Sequence, residues 1–262
     1  MILAYSFAQV PVVPVRSEPN HRSEQVTQLL FGEKAEIYEI NGKDWAKIRT
    51  AFDDYPGWCR ASQLKLINKR EFHKSTKHTV ATHTGKLLGN KGEMLIPAGS
   101  ELTGLKKRKI AFLNDDGVFK GKKVLKKNLG LNPELIKVNA LKFLYAPYQW
   151  GGRTISGIDC SGFTQIAYKL CNFQLPRDAS QQAAIGSLVE FLPAAQTGDL
   201  AFFDDKDGKI VHVGILLDQE TIVHASDSSG CVMIDKIDQG GIVSITQKKR
   251  THNLRLIKRM LP

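Results

Sequence analysis

Residues 157–163 read GIDCSGF. Cysteine is ordinarily a small buried apolar residue, yet this one has an acid before it and a serine and a glycine after it. Such neighbours are poor core material and suit a thiol held for chemistry. Downstream, Phe163, Ile166, Ala167, Leu170 and Cys171 recur at i, i+3, i+4, i+7 and i+8, the spacing of one buried helix face. Cys160 then falls in the first turn of that helix. There the unpaired backbone N–H groups and the positive end of the dipole favour a thiolate, and the same N–H groups can hold a developing oxyanion. Cys160 is the candidate nucleophile; the alternative is a structural cysteine at a helix start.

A nucleophile of this kind needs a base. Of the seven histidines, His21, His73, His78, His83 and His252 read as surface residues. His212 in KIVHVGILL and His224 in TIVHAS lie in two β-branched runs joined by LDQET. A hairpin centred on Asp218 sets 212 directly opposite 224, so both rings share a face. One imidazole can then fix the tautomer of the other, as the third member of a hydrolase triad does. Cys160, His212 and His224 form a nucleophile–base–orienter set. Zinc is the competing use of the same residues, without the local ligand spacing that zinc sites favour.

The elements that must position these groups follow from the patterning. Short apolar runs broken by turn residues (VPVVPV, VTQLLFGE, AEIYEI, WAKIRT) predict strands, and Asn41-Gly42 is a hairpin signal. These build a small barrel over residues 1–66. Residues 67–129 have the same character and predict a second barrel of similar size, a weak tandem repeat. At Asn132-Pro133-Glu134 the pattern changes to helix-start chemistry, with the helix running to about Tyr145. Residues 130–262 form an α+β domain. Asp178 with Gln181 three residues on is a capping box opening another helix.

The order YQWGG, GIDCSGF, PRDASQQ, TGDLAFF, HVGILL, IVHAS resembles that of the NlpC-type cysteine peptidases. VTQLLFGEKAEIYEINGKDWAKIRTAFDDYPGWC resembles a bacterial SH3-like domain. Together they look like the γ-D-glutamyl-L-diamino acid endopeptidases of muropeptide recycling. The resemblance implies a papain-like C-terminal domain behind two SH3-like barrels. It implies Cys160 as nucleophile, His212 as base, His224 as orienting residue and Tyr148 beside the oxyanion. It further implies that Asp159, with Glu24 and Tyr55 of the first barrel, reads the free ammonium of an N-terminal L-Ala, and that Ser161 and Ser180 face the peptide. No metal or organic cofactor is expected. The rival readings are another amidase or acyltransferase on the same set, and an inactive wall-binding protein.

Composition bounds the rest. At 262 residues with 42% hydrophobic and 24% charged content, this is an ordinary globular chain. The net charge of +11 favours anionic partners, but no nucleic-acid motif accompanies the short runs KKRK, KK and KKR, which read as solvated loop and strand-edge residues. No run approaches the roughly 20 apolar residues of a membrane span. The N-terminus lacks a leader pattern, so the expectation is a cytoplasmic protein, or an exported one whose leader has been removed. The expected partners are murein-derived peptides, with no nucleic acid, and a monomeric state. Cys160 and Cys171, about 16 Å apart along one helix, cannot form a disulfide.

Overall fold

The structure is a computed structural model that describes residues 1–260 apart from Lys43 and Asn114. The chain divides into two compact units, Met1–Leu129 and Gly130 onward. The division falls where the sequence changes from strand to helix patterning.

In the N-terminal unit β1 (Ala4–Ala8), β2 (Val12–Arg16), β3 (Gln25–Leu30), β4 (Lys34–Ile40), β5 (Trp45–Thr50), β6 (Pro56–Arg60) and β7 (Leu64–Ile67) make a sheet of order β3-β2-β6-β5-β4-β1-β7. Alternation along the strands turns Val13, Val15, Leu29, Ile37 and Ile48 into one buried cluster. The β4–β5 hairpin forms where Asn41-Gly42 predicts it. Its connection runs from residue 41 to 44 instead of two residues, with Asp44 in the left-handed region at φ 62°. A short helix, α1 (Lys69–His73), follows with a complete capping box between Asn68 and Glu71.

The remainder of that unit holds β8 (His78–Val80), β9 (Thr84–Gly89), β10 (Gly92–Pro97), β11 (Lys109–Phe112), β12 (Asp115–Lys120) and β13 (Lys123–Leu125). They form a four-stranded sheet, β10-β9-β12-β11, and a two-stranded one, β13-β8. Phe31 of the first barrel packs into the core of this region with Leu87, Ile96, Ile110 and Phe119, so the two β regions share core material. The basic runs are less scattered than they read. Residues 65–129 carry sixteen Lys and Arg against five Asp and Glu, which accounts for the whole net charge of the chain. Lys106–Lys109 are exposed where the chain enters the edge strand β11, and lysines there discourage edge-to-edge pairing.

The C-terminal unit is α+β. Helix α2 (Pro133–Leu141) starts at Asn132, whose side chain accepts the N–H of Leu135; it ends at Leu141 and irregular turns carry the chain on to Tyr145. The two-residue strands β14 (Arg153–Thr154) and β15 (Gly157–Ile158) lead into α3 (Cys160–Lys169). After α4 (Ala179–Ala183) come β16 (Ser187–Val189), β17 (Leu200–Asp204), β18 (Ile210–Leu216), β19 (Thr221–Ser226), β20 (Cys231–Asp238), β21 (Gly241–Ser244) and β22 (Lys249–Arg259). Strand β22 pairs with β17 along one edge and with β21 and β16 along the other. The strands β22-β17-β18-β19-β20-β21 therefore close on themselves, around Ala201, Phe203, Leu216, Ile222, Ile237, Ile242 and Ile257.

Helix α3 packs against β18, β19 and α2. The predicted apolar face is buried, and so is every other residue of the helix. Its polar side chains are accommodated by hydrogen bonds: Thr164 to Gln182 at 2.7 Å, Gln165 to the carbonyl of Leu175 at 3.1 Å, and the Tyr168 hydroxyl to the carbonyl of Gly198. Paired buried polar groups avoid the desolvation cost that unpaired ones incur. A helix buried on all sides is a rigid mount for the residue at its first position.

Candidate active site

Asp159 is the N-cap of α3. Its Oδ1 accepts the N–H of Gly162 at 2.7 Å, and its Oδ2 accepts the N–H of Gly151 at 2.8 Å. Both oxygens also accept from the guanidinium of Arg177, Nη1 reaching Oδ1 at 3.1 Å and Nη2 reaching Oδ2. Asp159 is 4% exposed and Arg177 2%, so this is a buried bidentate pair. Ser161 belongs to the same network, its hydroxyl accepting from Arg177 at 2.8 Å. The acid before the cysteine thus ties the YQWGG loop, the first turn of α3 and the PRDASQQ segment to one carboxylate. The charge of this carboxylate is already met by Arg177.

The glycines make the approach possible. Gly151 takes φ 71°, a left-handed conformation that glycine adopts without steric cost. A Cβ on Gly162 would run into the carbonyl oxygen of Gly152. Gly162 therefore makes room for the preceding loop. That loop places Tyr148, whose N–H donates to the carbonyl of Gly230 at 2.7 Å. The half-buried phenol is held in its protonated form, its pKa pushed up by burial and by Cys160 and Asp159 nearby.

Cys160 is 6% exposed. Burial pushes its thiol up to about 12, and Asp159 adds to the rise; the N–H of Val213, Arg177 and the N–H of Ser161 pull against it. The helix N-terminus alone was expected to lower this pKa, and in this pocket desolvation outweighs it. Near neutral pH the resting sulfur is a thiol. The hydrogen bond from Val213 fixes the sulfur against β18, beside His212 in the sequence.

His212 and His224 lie on the face they share with Leu216 and Ile222, by strand alternation. Their ring nitrogens, Nε2 of His212 and Nδ1 of His224, are hydrogen-bonded at 2.9 Å. The hairpin register differs from the expected one: Ile215 pairs with Val223 and Leu216 with Ile222. The centre is thus at 219 instead of 218, and His224 lies across from Gly214, diagonal to His212. The shift moves each partner by two residues, which preserves the face. Burial, then His224 and His252, hold His212 well below the usual histidine range.

Two residues at this site were missed from sequence. His252, read as a surface residue, stacks on His212 with ring centroids 4.1 Å apart; burial and His224 lower it to about 4. Asp235 of β20 is buried, with Oδ2 3.2 Å from Nε2 of His224 and Oδ1 accepting the N–H of Ile245 at 2.7 Å. Of the other predicted residues, Ser180 is exposed in the first turn of α4, which the Asp178–Gln181 capping box opens as expected. Glu24 and Tyr55 belong to the N-terminal unit, Glu24 exposed just before β3 and Tyr55 half-buried just before β6. All four cysteines are free, and Cys231 is only half-buried. Among the described residues no group of three or more His, Cys, Asp or Glu could hold a metal ion, and no helix is long and apolar enough to cross a membrane.

The site combines a thiol at the first position of a buried helix, hydrogen-bonded by the N–H of the residue after His212, with a hydrogen-bonded pair of imidazoles; these are the group types a cysteine peptidase uses. Residues 145–251 match the NlpC/P60 family, and residues 15–64 match the bacterial dipeptidyl-peptidase SH3 domain. The C-terminal unit is an NlpC/P60 cysteine peptidase domain. Similar chains include a gamma-D-glutamyl-L-lysine dipeptidyl-peptidase of Bacillus subtilis (strain 168), 29% identical over 229 residues, covering 79% of this chain and 74% of the relative. Dipeptidyl-peptidase 6 of Lysinibacillus sphaericus is 26% identical over 247 residues, covering 85% and 88%. The solved structure of an NlpC/P60 family protein from Bacillus cereus ATCC 10987 has the same fold, with a TM-score of 0.83 at 20% identity over 99% of this chain and 100% of the other.

Proposed function

We propose that this NlpC/P60 peptidase hydrolyses the amide between γ-D-Glu and the diamino acid of murein peptides that begin with a free L-Ala, releasing L-Ala-γ-D-Glu. The reading is carried by the hydrogen bond from the Val213 N–H, one residue past His212, to the Cys160 sulfur, together with the His212–His224 hydrogen bond. In this mechanism His212 takes the thiol proton as the sulfur attacks the γ-carbonyl carbon. First-turn N–H groups of α3, which the helix itself leaves unpaired, and the Tyr148 hydroxyl stabilise the oxyanion. The tetrahedral intermediate expels the diamino acid amine, which takes the proton from His212. Water then hydrolyses the thioester, with His212 again as base. The Bacillus and Lysinibacillus relatives bear names of this dipeptidyl-peptidase type, which supports the bond chosen. Murein-derived peptides are the partners proposed, without cofactor.

The test is mass spectrometry of products from defined tri- and tetrapeptides. L-Ala-γ-D-Glu is the expected product, and Cys160→Ala is expected to abolish it in a folded protein. N-acetylated peptide is expected to resist cleavage. Equal cleavage of blocked and free peptides would favour the amidase alternative. Absence of turnover by the wild type on every peptide would favour the wall-binding one.

A further inference from the structure

Across β18, β19 and β20, Asp235 stands to His224 as His224 stands to His212. His224 is paired with Met233 and Ile222 with Asp235, so Asp235 is the diagonal neighbour of His224 on the same face. The three side chains form one continuous line of hydrogen bonds: Asp235 to His224 at 3.2 Å, then His224 to His212 at 2.9 Å. Nothing in the peptidase reading requires the third of these. The network nonetheless has only one arrangement of protons that suits a base.

We infer that Asp235 is a positioning residue that sets the tautomers of both imidazoles and so leaves Nδ1 of His212 bare to receive the Cys160 proton. An ionised carboxylate only accepts. Asp235 Oδ1 already accepts the N–H of Ile245, and Oδ2 faces Nε2 of His224, so that nitrogen carries the hydrogen. A neutral imidazole with Nε2–H has an unprotonated Nδ1. His224 therefore accepts through Nδ1, and His212 donates from Nε2. The hydrogen on Nε2 of His212 obliges its Nδ1 to hold a lone pair. Four titratable groups face one another here: His212, His224, Asp235 and His252, which stacks on His212. Without the carboxylate, the His–His hydrogen bond is equally well made with both protons reversed, and in that form His212 Nδ1 is already protonated and useless as a base.

Asp235→Asn reverses the chain by design. The N–H of Ile245 keeps the amide oxygen, because it cannot face an NH2 group. The amide nitrogen is then turned toward His224 Nε2, which must accept. His224 becomes Nδ1–H, His212 accepts through Nε2, and its Nδ1 carries the hydrogen. The carboxylate-to-amide change in the serine protease triad, which acts through the wrong tautomer, costs about 10⁴-fold in turnover; a fall on the order of 10³–10⁴ is expected here, with KM little changed.

This inference rests on the peptidase reading, so two of its three measurements need no substrate. In the wild type, 15N-edited NMR of the histidine rings should show hydrogen on Nε2 of both His212 and His224; hydrogen on Nδ1 of His224 overturns the proposal whether or not any variant folds. In Asp235→Asn the His224 hydrogen should move to Nδ1, and alkylation of Cys160 by iodoacetamide near pH 7 should slow by at least tenfold, recovering as hydroxide replaces the base above pH 9. A merely structural acid would change neither the tautomer nor the pH dependence. An unchanged alkylation profile in a folded variant refutes the role, and so does turnover within threefold of wild type. Failure of the wild type to cleave any murein peptide, with the tautomers as assigned, counts against the function and leaves the relay standing.

Discussion

Replacing Arg177 by methionine should damage this protein more than any single change to its surface. The guanidinium donates to both oxygens of Asp159 and to the Ser161 hydroxyl, and all three side chains are almost wholly buried. Methionine keeps most of the apolar stem and removes the charge. Asp159 is then a buried anion without its cation, left with the Gly151 and Gly162 N–H groups and the Ser161 hydroxyl. Breaking one partner of a buried pair costs about 3–5 kcal/mol, which for a unit of this size corresponds to a melting shift of roughly 10–20 °C. The loss should appear in the C-terminal unit alone. Hydrogen exchange of α3 peptides in a urea series isolates it from the N-terminal unit. The double variant Asp159→Asn/Arg177→Met removes the stranded charge as well and should recover at least about 1 kcal/mol of the single loss, within the range of coupling between contacting residues. A loss below about 1 kcal/mol in Arg177→Met, or a double variant no better than the single, would show that the pair is a bystander and that Asp159 is free to serve a ligand.

Further outcomes follow from the same geometry. His252→Phe keeps a ring on His212 and removes one of the imidazoles that hold it below the usual histidine range, so the acid limb of kcat/KM should move upward; a limb that stays in place or moves down contradicts the stacking account. His212 and His252 are both depressed, chiefly by burial, so below pH 6.5 the unfolded chain binds more protons than the folded one. Stability should be complete above that pH and fall as pH drops toward 4, with a slope of up to about 1.4 kcal/mol per pH unit for each histidine; urea midpoints that stay flat from pH 7.5 to 5 would contradict it. Gly162→Ala should cost about 1–3 kcal/mol of overpacking and most of the activity, whereas Gly130→Ala, with open space around its Cα, should be neutral within about 0.5 kcal/mol. Equal stability in the two alanine variants would show that the Gly152 loop yields freely.

What could be read from the sequence depended on periodicity, and what could not depended on long-range register. The helix start at Asn132 and the capping box at Asp178 are local, so three or four residues sufficed to place them. The histidine pair survived a wrong hairpin centre because strand faces repeat every second residue: an error of two preserves the face, where an error of one would have sent a ring to the other side. Asp235 and His252 carry no such local mark. Asp235 reaches His224 only through the β19–β20 register, and His252 reaches His212 only because β22 returns to close the barrel, a pairing set by packing forty residues away. Asp159 shows the converse limit. Its adjacency to the nucleophile was plain, but its partner Arg177 lies eighteen residues on, in a segment that draws attention for its serine and glutamines. Motif spacing identifies the atoms that react; the charges that hold those atoms in their protonation states come from strands and loops whose pairing only the folded chain defines. For this reason the order of hydrogens along Asp235, His224 and His212 is a sharper test of the catalytic reading than the presence of the cysteine. A thiol at a helix start is compatible with a binding protein, whereas the proposed relay would leave one imidazole nitrogen bare to take a proton.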